Sequence, residues 1–501
     1  MLNHSIFKNC RNIDLTMLFR YYLYRIKKNR KKSNVLSLKI TMATIRSYIQ
    51  LFTGLFETFF FSGTVLGFFH MGNGVMINQG FWCNKTLTLE QKVEASNVSK
   101  SLFIDCSNRN YQERQAATHL TIGIAALDIG ALFCGFLLDR FKIKSSRHFS
   151  MILIICGFIA MSQAKPGKEW VLFIAQPLLG IGGKLLGFVN LRDLPKLFPD
   201  YGATITTVTA GLLYSSASVW WGARKLISSS NGQLTNPDGL WSISYICYLL
   251  AGVSGAVIFL GTMFTLNKEE EKVSFVPSRR RDSVLNQIGW KYIPKESTNL
   301  RTYAFGKLFL CQVLWFNLNC QGYYYFVNNM WNWLGEKNVD KTFREKIIDN
   351  TGWMILASCL YSFCAGVMID FIKHLMKKLH YALEFMLTLT SIINIVANFT
   401  GAFLPEDRPW KFYYIPFILH FIGVCWASSV NSTVIAGLFP EKYFGQLMGI
   451  TEASVGVMCF VPVIVYGNTN VTSSFMAIVG GVLAAISLQQ GAIVWMERKK
   501  S

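Results

Sequence analysis

Charge is scarce in this chain, and acids are scarcer than bases. Only 15% of its 501 residues are charged, whereas 51% are hydrophobic, a composition too apolar for a soluble protein of this size. About twelve long windows with few or no charges approach the roughly 20 residues that a spanning helix needs. The sequence therefore predicts an all-α membrane protein with about twelve transmembrane helices.

Groups that catalyse reactions or bind metals are also scarce. The seven histidines lie mostly in predicted loops or at helix ends, and neither a Ser-His-acid set nor a Cys-x-x-Cys pair stands out. The glycines before Lys184 resemble a phosphate loop, but Leu178 replaces its first glycine and Leu185 replaces its hydroxyl residue. We therefore predict no enzyme activity, no resident metal and no cofactor.

The excess of basic residues is distributed by side of the membrane. The formal charge is +21, and the basic residues cluster in the first 41 residues, after the second apolar segment, in the central break and at the C-terminal end. Arg147 belongs to the second of these clusters. If both termini are cytoplasmic, all four clusters lie on one face, as the positive-inside bias requires. The charge thus indicates orientation and not a nucleic-acid partner.

The apolar segments divide into six and six around one hydrophilic break. We predict spans at 47–72, 117–138, 149–164, 169–191, 204–226, 241–266, 303–328, 350–371, 382–403, 412–437, 446–467 and 472–496. The predicted regions are a basic cytoplasmic tail (1–41), an N-terminal half (42–266), a cytoplasmic central loop (267–302), a C-terminal half (303–496) and a short cytoplasmic tail (497–501).

Two motifs recur in the same order in each half. Gly-x-x-x-Asp ends the second segment at Asp139 and the eighth at Asp370, and Leu-Phe-Pro-acid follows the fourth segment at Leu197 and the tenth at Leu438. Halves repeated in parallel across a central loop are typical of the major facilitator fold, whose two six-helix halves rock against each other.

An aspartate at the C-terminus of a helix opposes the helix dipole, so Asp139 and Asp370 need a compensating partner. The neighbouring Arg140 and Lys373 offset part of this cost. We expect each aspartate also to reach the N-terminus of the helix that follows the Leu-Phe-Pro turn in the opposite half. These four residues are predicted to gate the transporter, the alternative being ordinary charged loop residues.

The first long hydrophilic loop carries signs of a lumenal or extracellular location. Cys83 and Cys106 are its only cysteines and are predicted to form a disulfide. Asn84 and Asn97 begin glycosylation sequons in the same loop.

Polar groups within apolar segments are costly, so each one is a candidate either for function or for bonding between helices. Glu57 lies midway along the first segment. We predict that it binds substrate, with an internal structural pair as the alternative. A buried carboxylate can bind the N–H groups of a purine or the ammonium group of an amino acid, so Glu57 does not discriminate between them.

Further candidates for substrate binding lie on the fourth, seventh and tenth segments. Asn190 and Asn431 offer a donor and an acceptor each, which suits the edge of a nucleobase. The seventh segment contributes Asn317, together with Trp315 and Tyr323 for stacking on a planar base. The alternatives are helix-to-helix bonding for the asparagines and an interfacial belt for the aromatic residues.

Two charged residues inside predicted spans need separate explanations. Lys184 is expected either to pair with an acid such as Glu57 or Asp128 or to extend to the membrane surface. Glu452, early in the eleventh segment, is interpreted as a helix-start residue that the dipole favours.

Several of these stretches resemble solute carrier family 43, and the similarity covers nearly everything from Met42 onward. They are LFTGLFE at Leu51–Glu57, GFLLDRFK at Gly135–Lys142, QPLLGIGG at Gln176–Gly183 with Asn190-Leu191, LYSSAS at Leu213–Ser218 and FPEKYFGQLMG at Phe439–Gly449. The resemblance implies a facilitative carrier of the major facilitator fold at the plasma membrane.

The Thr-Gly-Leu-x-Glu at Thr53–Glu57 and the Asn-Leu at Asn190 resemble the nucleobase branch of this family. The implied cargo is a purine nucleobase such as adenine, guanine or hypoxanthine, and a large neutral amino acid such as leucine is the alternative. A receptor without transport activity is a hypothesis of a different class. The expected partners are a small-molecule substrate and the lipid bilayer, without nucleic acid, and the expected state is a monomer.

Overall fold

The computed structural model describes residues 34–83, 109–231, 242–264, 299–376, 379–406, 408–458, 473–483 and 485. The chain forms two compact units, Met1–Phe52 and Thr53–Ser501. The second unit contains the helical bundle and every contact reported below.

The described residues are almost entirely helical. The main helices are α1 (Asn34–Glu57), α2 (Arg109–Arg140), α3 (Ile143–Ser162), α4 (Leu172–Leu197), α5 (Gly202–Ser215), α6 (Ser218–Asn231), α7 (Ile243–Phe264), α8 (Lys307–Glu336), α9 (Lys341–Leu356), α10 (Ser358–Met376), α11 (Leu379–Phe403), α12 (Tyr414–Leu438), α13 (Phe444–Met458) and α14 (Ser473–Leu483). Shorter α segments are Phe68–Met71 and Leu300–Ala304; π segments are Thr58–Ser62 and Gly72–Met76; and 3₁₀ segments are Thr64–Gly67, Ile77–Gln79, Glu169–Val171, Pro199–Tyr201, Trp410–Tyr413 and Glu441–Tyr443.

Each predicted span has a helix in its described part, but three spans are interrupted: the first, the fifth and, at Ala357, the eighth. The first span changes to π and 3₁₀ geometry after Glu57 and packs against the fifth span. The backbones approach closely there, since a Cβ at Gly63 would lie 1.9 Å from the Leu213 carbonyl oxygen. The Gly63 N–H also donates to Ser216 Oγ at 3.0 Å, beside the break between α5 and α6.

Seven helices in the described part of the chain are long and apolar enough to cross a membrane. They are Thr118–Arg140, Ile143–Ser162, Glu169–Leu197, Ile243–Met263, Thr342–Met376, Tyr381–Phe403 and Lys411–Leu438. Of the other predicted spans, the first and fifth have the interruptions noted above, α8 is rich in asparagine and glutamine, and the last two run into residues outside the described ranges. The described helices also carry many exposed large apolar side chains on their outer faces, as a lipid environment requires.

The predicted tails and central loop lie largely outside the described residues, and their assigned limits stay predictions. Helix α1 begins at Asn34, within the predicted tail 1–41. Two helix pairs join the predicted halves along much of their length: α2 packs on α13, and α5 packs on α10. These two interfaces determine which residues meet between the halves.

Candidate functional site

Asp139, the last residue but one of α2, contacts the first turn of α13 in the opposite half. Its Oδ1 accepts a hydrogen bond from the Gly445 N–H at 3.0 Å, and its Oδ2 accepts one from the Gln446 N–H at 2.8 Å. These backbone groups have no partner within their own helix, and the dipole of α13 favours an anion there. The structure therefore places Asp139 where the sequence predicts it.

Asp370 makes the equivalent contact in the second interface. Its Oδ2 accepts from the Thr204 N–H at 2.9 Å and from the Thr204 hydroxyl at 2.7 Å. Thr204 lies in the first turn of α5, after the turn that begins at Leu197. We call the end of the bundle that contains Asp139 and Asp370 the aspartate end.

The glycine of each Gly-x-x-x-Asp motif permits this contact. A Cβ at Gly135 would lie 2.0 Å from the Gly445 carbonyl oxygen, and a Cβ at Gly366 would lie 2.0 Å from Thr207 Oγ1. Residues four apart share one face of a helix, so the glycine brings the two backbones together where the aspartate then caps the facing helix.

The two basic residues predicted beside the aspartates have different environments. Arg140 is exposed, and its guanidinium lies 5.5 Å from the Phe136 ring centre on its own helix. Lys373 Nζ lies 4.0 Å from Asp370 Oδ1 on the same helix, with 41% of its side chain exposed. Their gating role stays a prediction, and neither is shown bonding to the facing half.

Sequence reasoning missed a set of charges that joins α4 to the turn before α13. Arg192 Nη1 lies 3.7 Å from Asp139 Oδ1, and Arg192 Nε lies 3.9 Å from Glu441 Oε1. Lys196 also pairs with Glu441. These residues reinforce the aspartate-end contact, and their signal in the sequence was the pair of basic residues at the end of the fourth span.

The halves also touch at the opposite end of α5 and α10. The Trp221 and Trp353 rings, from α6 and α9, pack edge-on with centroids 4.7 Å apart. A Cβ at Gly352 would lie 2.3 Å from the Trp221 ring, and Lys225 Nζ donates to Asp349 Oδ2 at 2.5 Å. We call this the tryptophan end. The two halves are therefore in contact at both ends of α5 and α10.

Glu57 forms a buried ion pair near the aspartate end. Arg147 Nη2 lies 2.5 Å from both carboxylate oxygens of Glu57, and both side chains are almost fully buried. The interpretation of Arg147 as an orienting loop charge is thus corrected, because it lies in the first turns of α3 and points into the bundle. For Glu57, the geometry favours the alternative of an internal pair.

Asn190 completes the same network and connects the helices around it. Its Oδ1 accepts from Arg147 Nη1 at 3.0 Å, and its Nδ2 donates to the Gly54 carbonyl and to Thr58 Oγ1, both at 3.0 Å. Arg147 Nε donates to Thr262 Oγ1 of α7 at 3.1 Å. The network therefore joins the first span to α3, α4 and α7 within the N-terminal half.

Two of the predicted residues in the C-terminal half bond between helices. Trp315 Nε1 donates to Ser391 Oγ of α11 at 2.9 Å. Asn431 Oδ1 accepts from Gln312 Nε2 of α8 at 3.1 Å. Both side chains are buried and hold α8 against α11 and α12, which is the helix-bonding alternative.

Asn317 and Tyr323 have different surroundings, and of the two it is Tyr323 that contacts the opposite half. Asn317 donates to Ser454 Oγ of α13 at 2.6 Å, while its Oδ1 is buried with no partner in the described residues. The Tyr323 ring packs edge-on against Tyr214 of the N-terminal half, at 6.2 Å, and against Phe421 at 5.3 Å. An aromatic cluster thus lies between the halves.

Lys184 occupies the centre of a buried ion triad that joins the halves. Its Nζ lies 3.2 Å from Asp128 Oδ1 of α2 and 3.1 Å from Glu452 Oε2 of α13. The partner expected on α2 is present. The interpretation of Glu452 as a helix-start residue is wrong, because α13 begins at Phe444 and Glu452 lies two turns inside it, only 4% exposed.

The triad lies deep in the bundle. Asp128 precedes Asp139 by three helical turns, which is about 16 Å at 1.5 Å per residue. Glu452 lies six residues, about 9 Å, beyond Gln446 on α13, so the triad lies well inside the bundle on both helices. No group of three or more histidine, cysteine or acidic side chains in the described ranges is arranged to hold a metal.

The predicted loop modifications are largely outside the described residues. Cys83 is disulfide-bonded, whereas Cys106, Asn84 and Asn97 fall in the undescribed range 84–108. The pairing of Cys83 with Cys106 and the two glycosylation sites stay predictions.

Solved transporter structures share this fold. The proton:xylose symporter XylE of the major facilitator superfamily superposes with a TM-score of 0.57 at 11% identity, covering 90% of this chain and 96% of that one. The human organic anion transporter MFSD10 (TETRAN) superposes with a TM-score of 0.53 at 12% identity, covering 89% and 99%. The chain is therefore an all-helical membrane protein with the major facilitator fold, which confirms the fold predicted from the repeated motifs.

Two curated transporters are similar in sequence over part of the chain. The human large neutral amino acids transporter small subunit 3 is 27% identical over 180 residues, which are 35% of this chain and 31% of that protein. The bovine equilibrative nucleobase transporter 1 is 24% identical over 173 residues, which are 34% and 33%. The matched regions thus span about a third of each relative, and no family model matches the chain. Both relatives belong to solute carrier family 43, and the two similarities to this chain are of nearly equal strength.

Proposed function

We propose that this chain is a facilitative carrier that moves purine nucleobases, such as adenine, guanine and hypoxanthine, across the plasma membrane by alternating access. Both termini would be cytoplasmic, so the aspartate end would face the cytoplasm. Alternating access is supported by two contacts, in which Asp139 and Asp370 each cap a helix of the opposite half. Such contacts form only when that end is closed, as rocking of the two halves requires.

A nucleobase is favoured by the aromatic cluster between the halves. Tyr214, Tyr323 and Phe421 come from both halves and pack edge-on near the mid-depth of the bundle. Proteins that hold a single base combine flat aromatic contacts with hydrogen bonds to its edge. The similarity to a nucleobase transporter adds support.

A large neutral amino acid is the second candidate, favoured by the ion triad. Lys184 and its two carboxylate partners present charges of both signs at one place, which suits the carboxylate and ammonium groups of a zwitterion. The similarity to an amino acid transporter adds support of the same weight.

The test is uptake of labelled adenine and labelled leucine, side by side, in cells that express the chain, with surface abundance measured and untransfected cells as the control. Saturable adenine uptake with accelerated exchange against internal adenine supports the proposal. Leucine uptake without adenine uptake refutes the nucleobase proposal and supports the second candidate, an amino acid carrier. Binding of either solute at the surface without exchange supports the receptor hypothesis and refutes transport.

A further inference from the structure

Three buried polar atoms near the triad have no hydrogen-bond partner among the described residues. They are Asp128 Oδ2, Gln321 Nε2 and Asn317 Oδ1. Asp128 is fully buried, and Gln321 and Asn317 are each 6% exposed. Buried polar groups are nearly always paired, because an unmade hydrogen bond is costly in a medium without water.

Helical spacing directs these atoms toward one place. Asn317, Gln321 and Tyr324 are separated by four and three residues on α8, so they share one face of that helix. The Tyr324 side chain lies close enough to Asp128 to interact with its carboxylate as a hydrogen-bond donor, although no donor in the described ranges meets full hydrogen-bonding geometry at Asp128 Oδ2. The face of α8 with the unpartnered amides is therefore turned toward the carboxylate of the opposite half.

The chemistry of the three atoms defines a ligand. Asp128 Oδ2 and Asn317 Oδ1 are acceptors and need donors, whereas Gln321 Nε2 is a donor and needs an acceptor. The triad has two carboxylates for one ammonium group, and this excess of negative charge disfavours an anion. The complementary ligand is uncharged or cationic and alternates N–H donors with an acceptor along one edge.

We infer that Asp128, Gln321 and Asn317 bind the hydrogen-bonding edge of the cargo, while Lys184 and Glu452 hold the Asp128 carboxylate in position. This inference rests on the proposed nucleobase function and names the residues that would recognise the base. The edge of adenine has such a pattern, since its amino group donates beside a ring nitrogen that accepts. The adjacent Tyr323 belongs to the aromatic cluster that would contact the ring face.

The test measures binding of adenine and hypoxanthine to the purified full-length protein, by calorimetry and by the rise in melting temperature. Gln321→Met removes the free donor, and Gln312→Met is its matched control, because Gln312 lies on the same helix with the same exposure but already donates to Asn431. We expect adenine to bind about tenfold more weakly to the first variant. The second should bind adenine like wild type.

Asp128→Asn provides an independent readout, and Glu452→Gln is its comparison, because it removes the same charge from a residue that supports Asp128 without contacting the cargo. The amide replaces a carboxylate oxygen by a donor, and hypoxanthine has a carbonyl acceptor where adenine has its amino donor. Preference should therefore shift from adenine toward hypoxanthine by about tenfold or more in Asp128→Asn. Glu452→Gln, which loosens the support of the Asp128 carboxylate, should weaken both ligands without a shift in preference. A structural defect would weaken both ligands alike.

The outcomes separate the inference from the function on which it rests. If wild type neither binds nor takes up adenine or hypoxanthine, the nucleobase function is refuted, and this edge assignment with it. If wild type binds adenine and both Asp128→Asn and Gln321→Met bind it equally well, the inference is overturned while the function stands. If Asp128→Asn melts far below wild type without ligand, the inference is judged on Gln321→Met and Gln312→Met alone. Equal adenine binding by these two variants then overturns it.

Discussion

Replacing Asp139 by asparagine should open the aspartate end. The carboxylate accepts two backbone hydrogen bonds, at 3.0 and 2.8 Å, with 2% of its side chain exposed. Hydrogen bonds to a charged group contribute about 1.5–3 kcal/mol each, whereas neutral ones contribute about 0.5–1.5. Asparagine retains one neutral acceptor, so the closed state should lose at least about 1.5 kcal/mol, which is roughly tenfold in the closed-to-open ratio.

Distance measurements by electron paramagnetic resonance would detect this shift. Labels at Phe141, directly after α2, and Leu375 on α10, which are 52% and 54% exposed, report from opposite halves at this end. They should be attached through unnatural amino acids, because the chain has twelve cysteines. Asp139→Asn should move the distance distribution toward longer values, and Asp370→Asn should do the same.

The matched control is Arg140→Gln, which changes charge one residue away. Arg140 is exposed and contacts the Phe136 ring of its own helix, so its loss should leave the distances unchanged. Because Asp139 and Asp370 lie in separate interfaces, the double variant should add the two shifts. Unchanged distances in Asp139→Asn would refute the closing role, and an equal shift in Arg140→Gln would assign the effect to net charge.

Three further changes test other contacts. Gly366→Ala should favour opening by about 1–3 kcal/mol, because its Cβ would lie 2.0 Å from a facing hydroxyl oxygen; Gly252→Ala, whose Cβ would meet nothing within 4 Å, should leave the label distances unchanged. Arg147→Met should leave Glu57 as an unpaired buried charge and lower the stability of the folded protein by about 3–5 kcal/mol. The melting temperature should fall while the uptake KM is retained, and a raised KM at normal melting temperature would contradict this. Trp221→Ala should weaken closure of the tryptophan end by about 1 kcal/mol, so labels at that end should separate more often, and unchanged distances would argue against a gate there.

The contacts of Asp139 and Asp370 at the aspartate end could be predicted, because each depends on a short sequence motif and both motifs occur twice. An aspartate that opposes a helix dipole needs a partner, and the Leu-Phe-Pro turn indicates that a helix begins at the same end of the bundle. The glycine four residues earlier then indicates close approach of the two helices. Because both motifs occur twice in the same order, the sequence predicts two halves and one end of the bundle at which they meet.

The charged partners inside the bundle could not be predicted in the same way. Arg147 belongs to a basic run that satisfies the positive-inside bias, and only the position of α3 shows that it turns inward to Glu57. Glu452 and Lys184 lie in different halves and carry no shared motif. Their pairing depends on the packing of α4 against α2 and of α2 against α13, which sequence spacing does not contain.

The depth of each contact between α2 and α13 determines what opening requires. Asp139 lies at the end of the bundle, where water can hydrogen-bond to its carboxylate once the two N–H donors move away. The contact between Lys184 and Glu452 lies deeper in the same interface, about 9 Å along α13 from Gln446, so opening the aspartate end breaks it as well. A carboxylate left unpaired at that depth is costly unless water or cargo reaches it. In the proposed carrier, a cargo that occupies Asp128 and its neighbours therefore alters the energy of the step that releases it, so recognition and gating share one interface.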